Sequence, residues 1–275
     1  NNVSADVEMY SFESGMTNYG TYPIFHNSDD LTDYVMSEMI ARNSEFSFYF
    51  AAPFTESPAA YFKTIISDSV EHNGMPNSGD YLAKAYNNYY FSYKLFKNCY
   101  EYEGSYIDLY LMTFNFSFFT TAEDESYVDS RIDEIIKSLN ISNKSDYEKA
   151  LAIYTWITSN VSYDQANANP FAINDNKTFT AYNALYKKTA VCQGVATLFY
   201  NMLLKVGVDN RITNNSTHCW NLVKVDGSYY YCDPTWDLGF NPSNFQYFMC
   251  GRESGFESEH AITDTSMNLG YSVVN

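Results

Sequence analysis

Three residues of complementary chemistry follow one another in the second half of the chain: Cys192, His218 and Asp233. A thiolate is a strong nucleophile, and an imidazole beside it can take up a proton and return it. A carboxylate that accepts the second imidazole N–H fixes the tautomer and the orientation of the ring. These residue types are the set that acyl transfer or amide hydrolysis requires, provided that the fold brings them together.

Cys192 is predicted to lie in the first turn of a buried helix. Apolar residues recur at helical spacing after Cys192-Gln193-Gly194, and Gly207 provides a stop. The unpaired N–H groups and the dipole at a helix N-terminus stabilise a thiolate. Gly194 is expected to keep the entrance to this turn uncrowded. For Cys192 taken alone, the alternative is a packed and inert cysteine.

The segments that carry His218 and Asp233 are predicted to form a β-hairpin. Two stretches that alternate like strands flank Asp226-Gly227, a strong hairpin signal. A two-residue turn there makes Trp220 face Asp233. Because His218 and Trp220 share one face of the pleat, Asp233 becomes the diagonal neighbour of His218, about 7–8 Å away between backbones. A slip of one residue in the register would separate the two side chains.

We assign no catalytic role to the other cysteines and histidines. The same register puts Cys219 and Cys232 on the opposite face of the hairpin, where we expect core residues that point away from the chemistry. The five cysteines do not read as a disulfide framework, and the chain lacks the paired CxxC motifs of a zinc site. Three histidines stand in polar contexts without ligand spacing and are interpreted as surface or structural residues: His26, His72 and His260.

Two units are predicted to position these residues. Residues 1–140 mix helical and extended signals, which is typical of an α+β domain, and they contain no catalytic motif. The second unit, residues 141–275, begins with a capping box from Ser145 to Glu148 and an apolar stripe at helical spacing. We therefore place the domain boundary near residue 140 and the candidate chemistry in residues 141–275.

The composition excludes some functions. Sixteen Lys and Arg against 33 Asp and Glu give a net charge of −17, which argues against a nucleic-acid ligand. No apolar run is long enough to predict a membrane span. The chain begins at Asn1 without a leader, which favours a mature, exported protein at the cell surface or outside the cell, although loss of a tag or an upstream domain would look the same. No metal site and no cofactor are expected.

Three separate motifs resemble the core of the transglutaminase-like superfamily, and its bacterial members in particular. They are Ala190-Val191-Cys192-Gln193-Gly194, His218-Cys219-Trp220-Asn221, and Tyr231-Cys232-Asp233-Pro234-Thr235-Trp236. The resemblance covers roughly residues 145–240 and implies a papain-like arrangement, in which a helix with the nucleophile packs on an antiparallel sheet with His and Asp. The region before it resembles modules that precede this core in exported Gram-positive proteins.

The chemistry that this resemblance implies passes through a thioester on Cys192, formed with a protein or peptide substrate such as a cell-wall peptide. The backbone N–H of Cys192 is the expected first oxyanion donor, and the candidates for the second are Tyr182, Trp220 and Gln193. Water attacking the thioester would make a peptidase or amidase, and a lysine amine would make a transglutaminase; the sequence leaves both open. The alternative is a catalytically silent domain that binds a protein or a surface.

Overall fold

The computed structural model describes residues 9–10, 20–54, 56–169, 173–262 and 271–275. The chain divides into two compact units. The first contains Asn1–Glu71 and Tyr86–Phe118, and the second contains His72–Ala85 and Phe119–Asn275. Both units mix helices and strands, so the α+β class expected from the sequence is confirmed.

The first unit is built around a five-stranded sheet with the order β1-β4-β5-β3-β2. Its elements are β1 (Met9–Tyr10), β2 (Ile24–Phe25), α1 (Ser28–Ile40), β3 (Glu45–Phe50), α2 (Pro58–Ser69), β4 (Tyr86–Tyr102) and β5 (Ser105–Phe118). The long strands β4 and β5 pair antiparallel. Phe46, Phe48 and Phe50 of β3 are buried on this sheet, and the ring of Phe48 contacts that of Phe62 in α2.

The second unit holds the three residues from which the sequence analysis began. Its elements are α3 (Asp80–Ala83), α4 (Ala122–Leu139), α5 (Asp146–Asn160), β6 (Ser162–Tyr163), α6 (Ala181–Tyr186), β7 (Thr189–Ala190), α7 (Cys192–Lys205), β8 (Asn210–Asn214), β9 (Cys219–Val225), β10 (Ser228–Cys232) and α8 (Phe256–Glu259). Within the described parts of the chain, no helix is both long enough and apolar enough to cross a lipid bilayer.

Helix α7 packs on a three-stranded antiparallel sheet with the order β10-β9-β8. Its residues Val195, Leu198 and Phe199 are fully buried in the core of the unit. The side chain of Asn221 in β9 donates to the carbonyl of Ala196 in α7 at 3.2 Å, which ties the strand to the helix one turn beyond Cys192. The expected arrangement of a nucleophile-bearing helix on an antiparallel sheet is thus present.

The predicted capping box opens α5. The Ser145 hydroxyl accepts from Glu148 N at 3.3 Å, and the Glu148 carboxylate accepts from Ser145 N at 3.0 Å. The two bonds satisfy N–H groups that a helix start leaves without partners. The apolar stripe that follows buries Tyr154 and Ile157 completely, so the helix presents one face to the core.

The segment His72–Ala85 and helix α4 belong to the unit that contains Cys192. The Asp80 carboxylate accepts two bonds from the Arg211 guanidinium, at 2.7 and 2.9 Å, and one from Ile212 N. Helix α4 buries Val128 and Ile132 in the core around α7. The compact units are therefore separated at residues 71/72, 85/86 and 118/119 and not near residue 140, because the apolar face of α4 packs in the second unit. The expected domain boundary near residue 140 remains a prediction about which parts of the chain fold separately.

Candidate active site

Cys192 is the first residue of α7, as the sequence predicts, and it is partly buried. The N-cap residue is Val191, whose side chain makes no capping hydrogen bond. Val191 N instead donates to the carbonyl of Thr178 at 3.1 Å, which fixes the approach of the chain to the helix. The first N–H groups of a helix have no partner within the helix, so they face the surroundings of the thiol with a partial positive charge.

Gly194 allows the chain to pack closely against the start of α7. A Cβ atom at this position would lie 2.7 Å from Thr178 O, 2.9 Å from Thr180 O and 2.8 Å from the Ala190 side chain. Two of these three neighbours are backbone atoms, which cannot swing aside like a flexible side chain. A glycine is therefore required here by space, in agreement with the role expected from the sequence.

The hairpin register that the sequence predicts is confirmed. Strands β9 and β10 pair from Val225–Ser228 to Asn221–Cys232, and the ladder ends there. His218 and Asp233 lie just beyond its open end, and His218 Nε2 donates to Asp233 Oδ2 at 2.6 Å. Because Nε2 is used in this bond, Nδ1 is the ring nitrogen left to face Cys192, which lies within hydrogen-bonding reach of His218.

Asp233 is completely buried and held on every side by hydrogen bonds. Its Oδ1 atom accepts from Thr235 N at 2.9 Å and from Trp236 N at 3.4 Å. Burial alone would raise the pKa of this carboxyl group, but the bonds from His218 and His260 hold it below its usual range. Asp233 is therefore an anion whose geometry is fixed before any substrate binds.

The pKa of His218 is raised. Burial works to lower it, but the hydrogen bond to Asp233, the contact with Cys192 and the charges of both residues raise the pKa of His218 to about 9. At neutral pH the imidazole therefore carries a positive charge. A cation in this position stabilises a neighbouring thiolate and has a proton ready for a leaving group.

Cys219 lies within hydrogen-bonding reach of Cys192. Its position on the opposite face of the hairpin is as predicted, but the expectation that it points away from the chemistry is wrong, because this face packs on α7. The Cys219 thiol and burial raise the pKa of Cys192, against the lowering effect of His218, and the same contact lowers the pKa of Cys219. The contact with Cys219 thus disfavours the thiolate form of Cys192, whereas His218 favours it. Cys232, by contrast, is a core residue whose Sγ accepts from Met249 N.

A cleft of about 520 Å³ opens beside His218. Its lining residues are uncharged apart from the histidine: Thr158, Ser159, Val161, Ser162, Tyr163, Gln165, Thr235, Trp236, Leu238 and Gly239. Trp236 stacks on the His218 ring with centroids 5.2 Å apart. An uncharged, hydroxyl-rich lining suits an amide or a peptide backbone better than a charged group.

Tyr163 is a site residue to which the sequence analysis gave no role. Strand β6 pairs parallel with β7 so that Tyr163 lies opposite Ala190, two residues before Cys192. Burial raises the pKa of Tyr163, and the nearby Cys192 raises it further. The parallel pairing joins residues far apart in sequence, so no local pattern places Tyr163 at the site.

Of the three oxyanion candidates from the sequence, Trp220 lies against the His218 ring with centroids 5.9 Å apart, and Gln193 and Tyr182 make other contacts. The Gln193 amide donates to the carbonyls of Lys84 and Phe179 at 3.1 and 3.3 Å. The Tyr182 ring stacks on Tyr186 and lies under the Lys177 ammonium. Trp220 is buried on the face of the hairpin opposite Cys219, and its indole N–H has no hydrogen-bond partner among the described residues. None of these contacts directs a donor toward Cys192.

His260 is a buried neighbour of the triad rather than a surface residue. Its Nε2 donates to Asp233 Oδ2 at 2.9 Å, so two histidines converge on one carboxylate oxygen. Among the described residues, only His218, Asp233 and His260 bring three potential ligand atoms within 4.8 Å of one another. Tetrahedral zinc, with ligands about 2.0–2.2 Å from the metal, keeps those ligands further apart than 2.6–2.9 Å, so hydrogen bonding accounts for this cluster.

Comparison with known proteins finds relatives for the part of the chain that contains these residues. Residues 134–234 match the model of the family described as the transglutaminase-like superfamily. Human kyphoscoliosis peptidase is 27% identical over 126 residues, which are 40% of this chain and 19% of that protein. The mouse protein is 27% identical over 128 residues, 41% of this chain and 19% of that protein.

The chain thus spans about a fifth of the length of these curated relatives. A solved structure described as "Crystal structure of a TGase" aligns over 83% of this chain and 61% of that chain, with 15% identity and a TM-score of 0.35. Cysteine acyltransferases and peptidases are the enzymes typical of the superfamily, and the Cys192, His218 and Asp233 side chains are chemically equipped for either reaction.

Proposed function

We propose that this protein is a cysteine-dependent acyltransferase or amide hydrolase that forms a thioester on Cys192 with a protein or peptide substrate. The observation that carries the proposal is the position of His218, which lies between the Cys192 thiol and the Asp233 carboxylate at the edge of an uncharged cleft. Neither nucleophile activation nor proton return requires a group from outside the chain.

The first step is attack by Cys192 on a substrate amide. With His218 as the imidazolium, the thiolate forms a carbon–sulfur bond, and the carbonyl oxygen becomes an oxyanion. Collapse of this intermediate breaks the carbon–nitrogen bond, and His218 Nδ1 delivers its proton to the departing amine. Asp233 stabilises the imidazolium before this transfer and keeps the ring in one orientation afterwards.

We propose that the oxyanion is bound by the backbone N–H of Cys192 and by the Tyr163 hydroxyl. The Cys192 N–H belongs to the first turn of α7 and has no acceptor within the helix. We choose Tyr163 as the second donor rather than Tyr182, Trp220 or Gln193, because Tyr163 lines the cleft with His218 and because Cys192 raises its pKa. Donors already in place at the developing charge need no reorganisation during the reaction.

Whether the proposed reaction is a hydrolysis or an acyl transfer depends on the group that receives the acyl chain from Cys192. Water would complete hydrolysis, for which the name of the curated relatives, kyphoscoliosis peptidase, is the supporting observation. A primary amine would complete transfer and leave an amide crosslink. Both branches use His218 again, as a base that activates the incoming nucleophile.

The decisive test is selective alkylation of Cys192. Full-length protein is treated with iodoacetamide across a range of pH, and the modified cysteine is identified by mass spectrometry. We expect Cys192 to react faster than Cys99, a partly buried cysteine of the first unit, because the positive charge of His218 favours the Cys192 thiolate. We expect the rate to fall in a His218→Ala variant. Acyl-enzyme trapped from candidate peptides, with and without a fluorescent primary amine, then distinguishes hydrolysis from transfer.

A catalytically silent, partner-binding domain would behave differently in the same experiment. Cys192 would then react no faster than Cys99, and His218→Ala would leave its rate unchanged. A Cys99→Ala variant serves as the control, because Cys99 belongs to the first unit. The extracellular location and the cell-wall association expected from the sequence remain proposals, and fractionation of the source cells would test them.

A further inference from the structure

Strand β6 uses only one of its two backbone edges. Ser162 N donates to Lys188 O at 2.8 Å. Asp164 N donates to Ala190 O at 3.0 Å, and both bonds lie on the edge that pairs with β7. Because the peptide groups of a strand point alternately to its two sides, the N–H and C=O of Tyr163 point away from β7. Neither group has a hydrogen-bond partner among the described residues.

The free edge of β6 borders the cleft beside His218. Val161, Ser162 and Tyr163 line this cleft, whereas neither residue of β7 does. The cleft therefore lies on the side of β6 that is turned away from β7. Ser162 is exposed and Tyr163 is only partly buried, so a ligand can reach this edge. A chain in the cleft would lie against the unpaired backbone groups of Tyr163.

The chemistry of the cleft suits a peptide main chain. An unpaired strand edge is a template for one more strand, and an extended peptide supplies N–H and C=O groups at the matching spacing. The lining is uncharged apart from His218, so it offers no ionic anchor for a charged side chain. A volume of about 520 Å³ is that of a small-ligand site, which admits a short stretch of chain and not a folded domain.

We propose that the acyl donor is an extended peptide segment that adds as a strand to the free edge of β6, with its main chain hydrogen-bonded to the N–H and C=O of Tyr163. The inference rests on the proposed function, which requires the reactive carbonyl beside Cys192. Tyr163 lies opposite Ala190, two residues before Cys192, so a peptide held at Tyr163 is anchored close to the nucleophile. Proline is then excluded at the substrate position whose N–H bonds to Tyr163 O, because proline has no N–H.

Alkylation of Cys192 by a peptide reagent measures this binding. The probe is a blocked hexapeptide of alanine and serine in which one side chain carries an iodoacetamide group. Its rate at Cys192 of the full chain is divided by the rate of free iodoacetamide, and the same ratio at Cys99, in the first unit, is the control. We expect a higher ratio at Cys192, and N-methylation of one backbone position should lower it about fivefold to tenfold, as loss of one hydrogen bond does. N-methylation of the two neighbouring residues, whose N–H groups point away from β6, should leave the ratio unchanged.

The ratio separates failure of this inference from failure of the proposed function. A ratio at Cys192 no higher than that at Cys99 would overturn the proposal, and so would a series in which N-methylation has the same effect at every position. Slow alkylation of Cys192 by both reagents would instead contradict the proposed function, because it reports on the thiol and leaves the ratio measurable.

Two substitutions at Tyr163 separate its backbone from its side chain. Tyr163→Ala and Tyr163→Pro both remove the phenol, but only proline also removes the N–H. Proline is tolerated on an edge strand where the N–H faces away from the sheet, and the bonds from Ser162 N and Asp164 N to β7 remain. We expect the peptide ratio at Cys192 to be about fivefold lower in Tyr163→Pro than in Tyr163→Ala. Equal ratios in the two folded variants would refute the role of the Tyr163 N–H, and the N-methyl series on the unaltered chain decides the matter if Tyr163→Pro does not fold.

Discussion

The raised pKa of His218 makes the stability of the second unit depend on pH in a defined window. The pKa is about 9 in the folded protein against an ordinary value of 6.5, since Asp233 and Cys192 outweigh the effect of burial. Between these values the folded protein holds a proton that the unfolded chain has released. The stabilisation is therefore fully present below pH 6.5 and is lost as the pH rises through 9. At about 1.4 kcal/mol per pH unit, the shift corresponds to about 3 kcal/mol.

Urea unfolding at several pH values between 6 and 10 measures this effect. All three tryptophans, Trp156, Trp220 and Trp236, lie in the second unit, so their fluorescence reports the unfolding of that unit. We expect the free energy of unfolding of the wild-type protein to fall by about 3 kcal/mol more across this range than that of a His218→Gln variant. The difference between the two curves removes the contribution of groups that titrate in both proteins.

His72→Gln, which replaces another histidine of the second unit, serves as the control for the substitution itself. Parallel curves for the wild-type protein and His218→Gln, within about 0.5 kcal/mol, would refute the reasoning. That result would mean that His218 titrates alike in the folded and the unfolded chain, and that the bond to Asp233 does not hold a proton on the imidazole.

Three further outcomes are expected. Gly194→Ala should lower the free energy of unfolding of the second unit by about 1–3 kcal/mol, because its Cβ would lie 2.7 and 2.9 Å from two backbone oxygens; an unchanged urea midpoint would contradict this. Cys219→Ala removes the thiol that raises the pKa of Cys192, so the alkylation profile of Cys192 should move to lower pH, whereas Cys232→Ala should leave it in place. Tyr163→Phe should lower kcat about 10²-fold with little change in KM or in the alkylation of Cys192. A kcat equal to that of the wild type would show that another group is the second oxyanion donor.

The hairpin and the nucleophile helix could be predicted because their signals are local. Asp226-Gly227 selects a two-residue turn, and that turn alone determines which residues of β9 and β10 face one another. The apolar spacing after Cys192 and the glycine at 207 likewise define a helix without reference to the rest of the chain. For the same reason the proximity of His218 and Asp233 could be predicted from the position of the turn.

The features that could not be predicted from the sequence are contacts between elements. Cys219 was correctly placed on one face of the hairpin, but no local pattern says which face meets α7. Tyr163 reaches the site through a parallel pairing with β7. His260 reaches Asp233 from α8, near the end of the described chain, and the sequence offers only a histidine in a polar context.

By itself, the sequence determined the candidate triad of Cys192, His218 and Asp233, its order, and the register that brings His218 to Asp233. These follow from residue types and from periodicities of two and 3.6 residues, which short-range sterics and hydrogen bonding impose. Only the tertiary structure decided what surrounds the triad: the thiol of Cys219, the hydroxyl of Tyr163 and the ring of His260. Their proximity depends on how α7, the sheet and the C-terminal segment bury their apolar faces together, and the charge states of Cys192 and His218 depend on that packing.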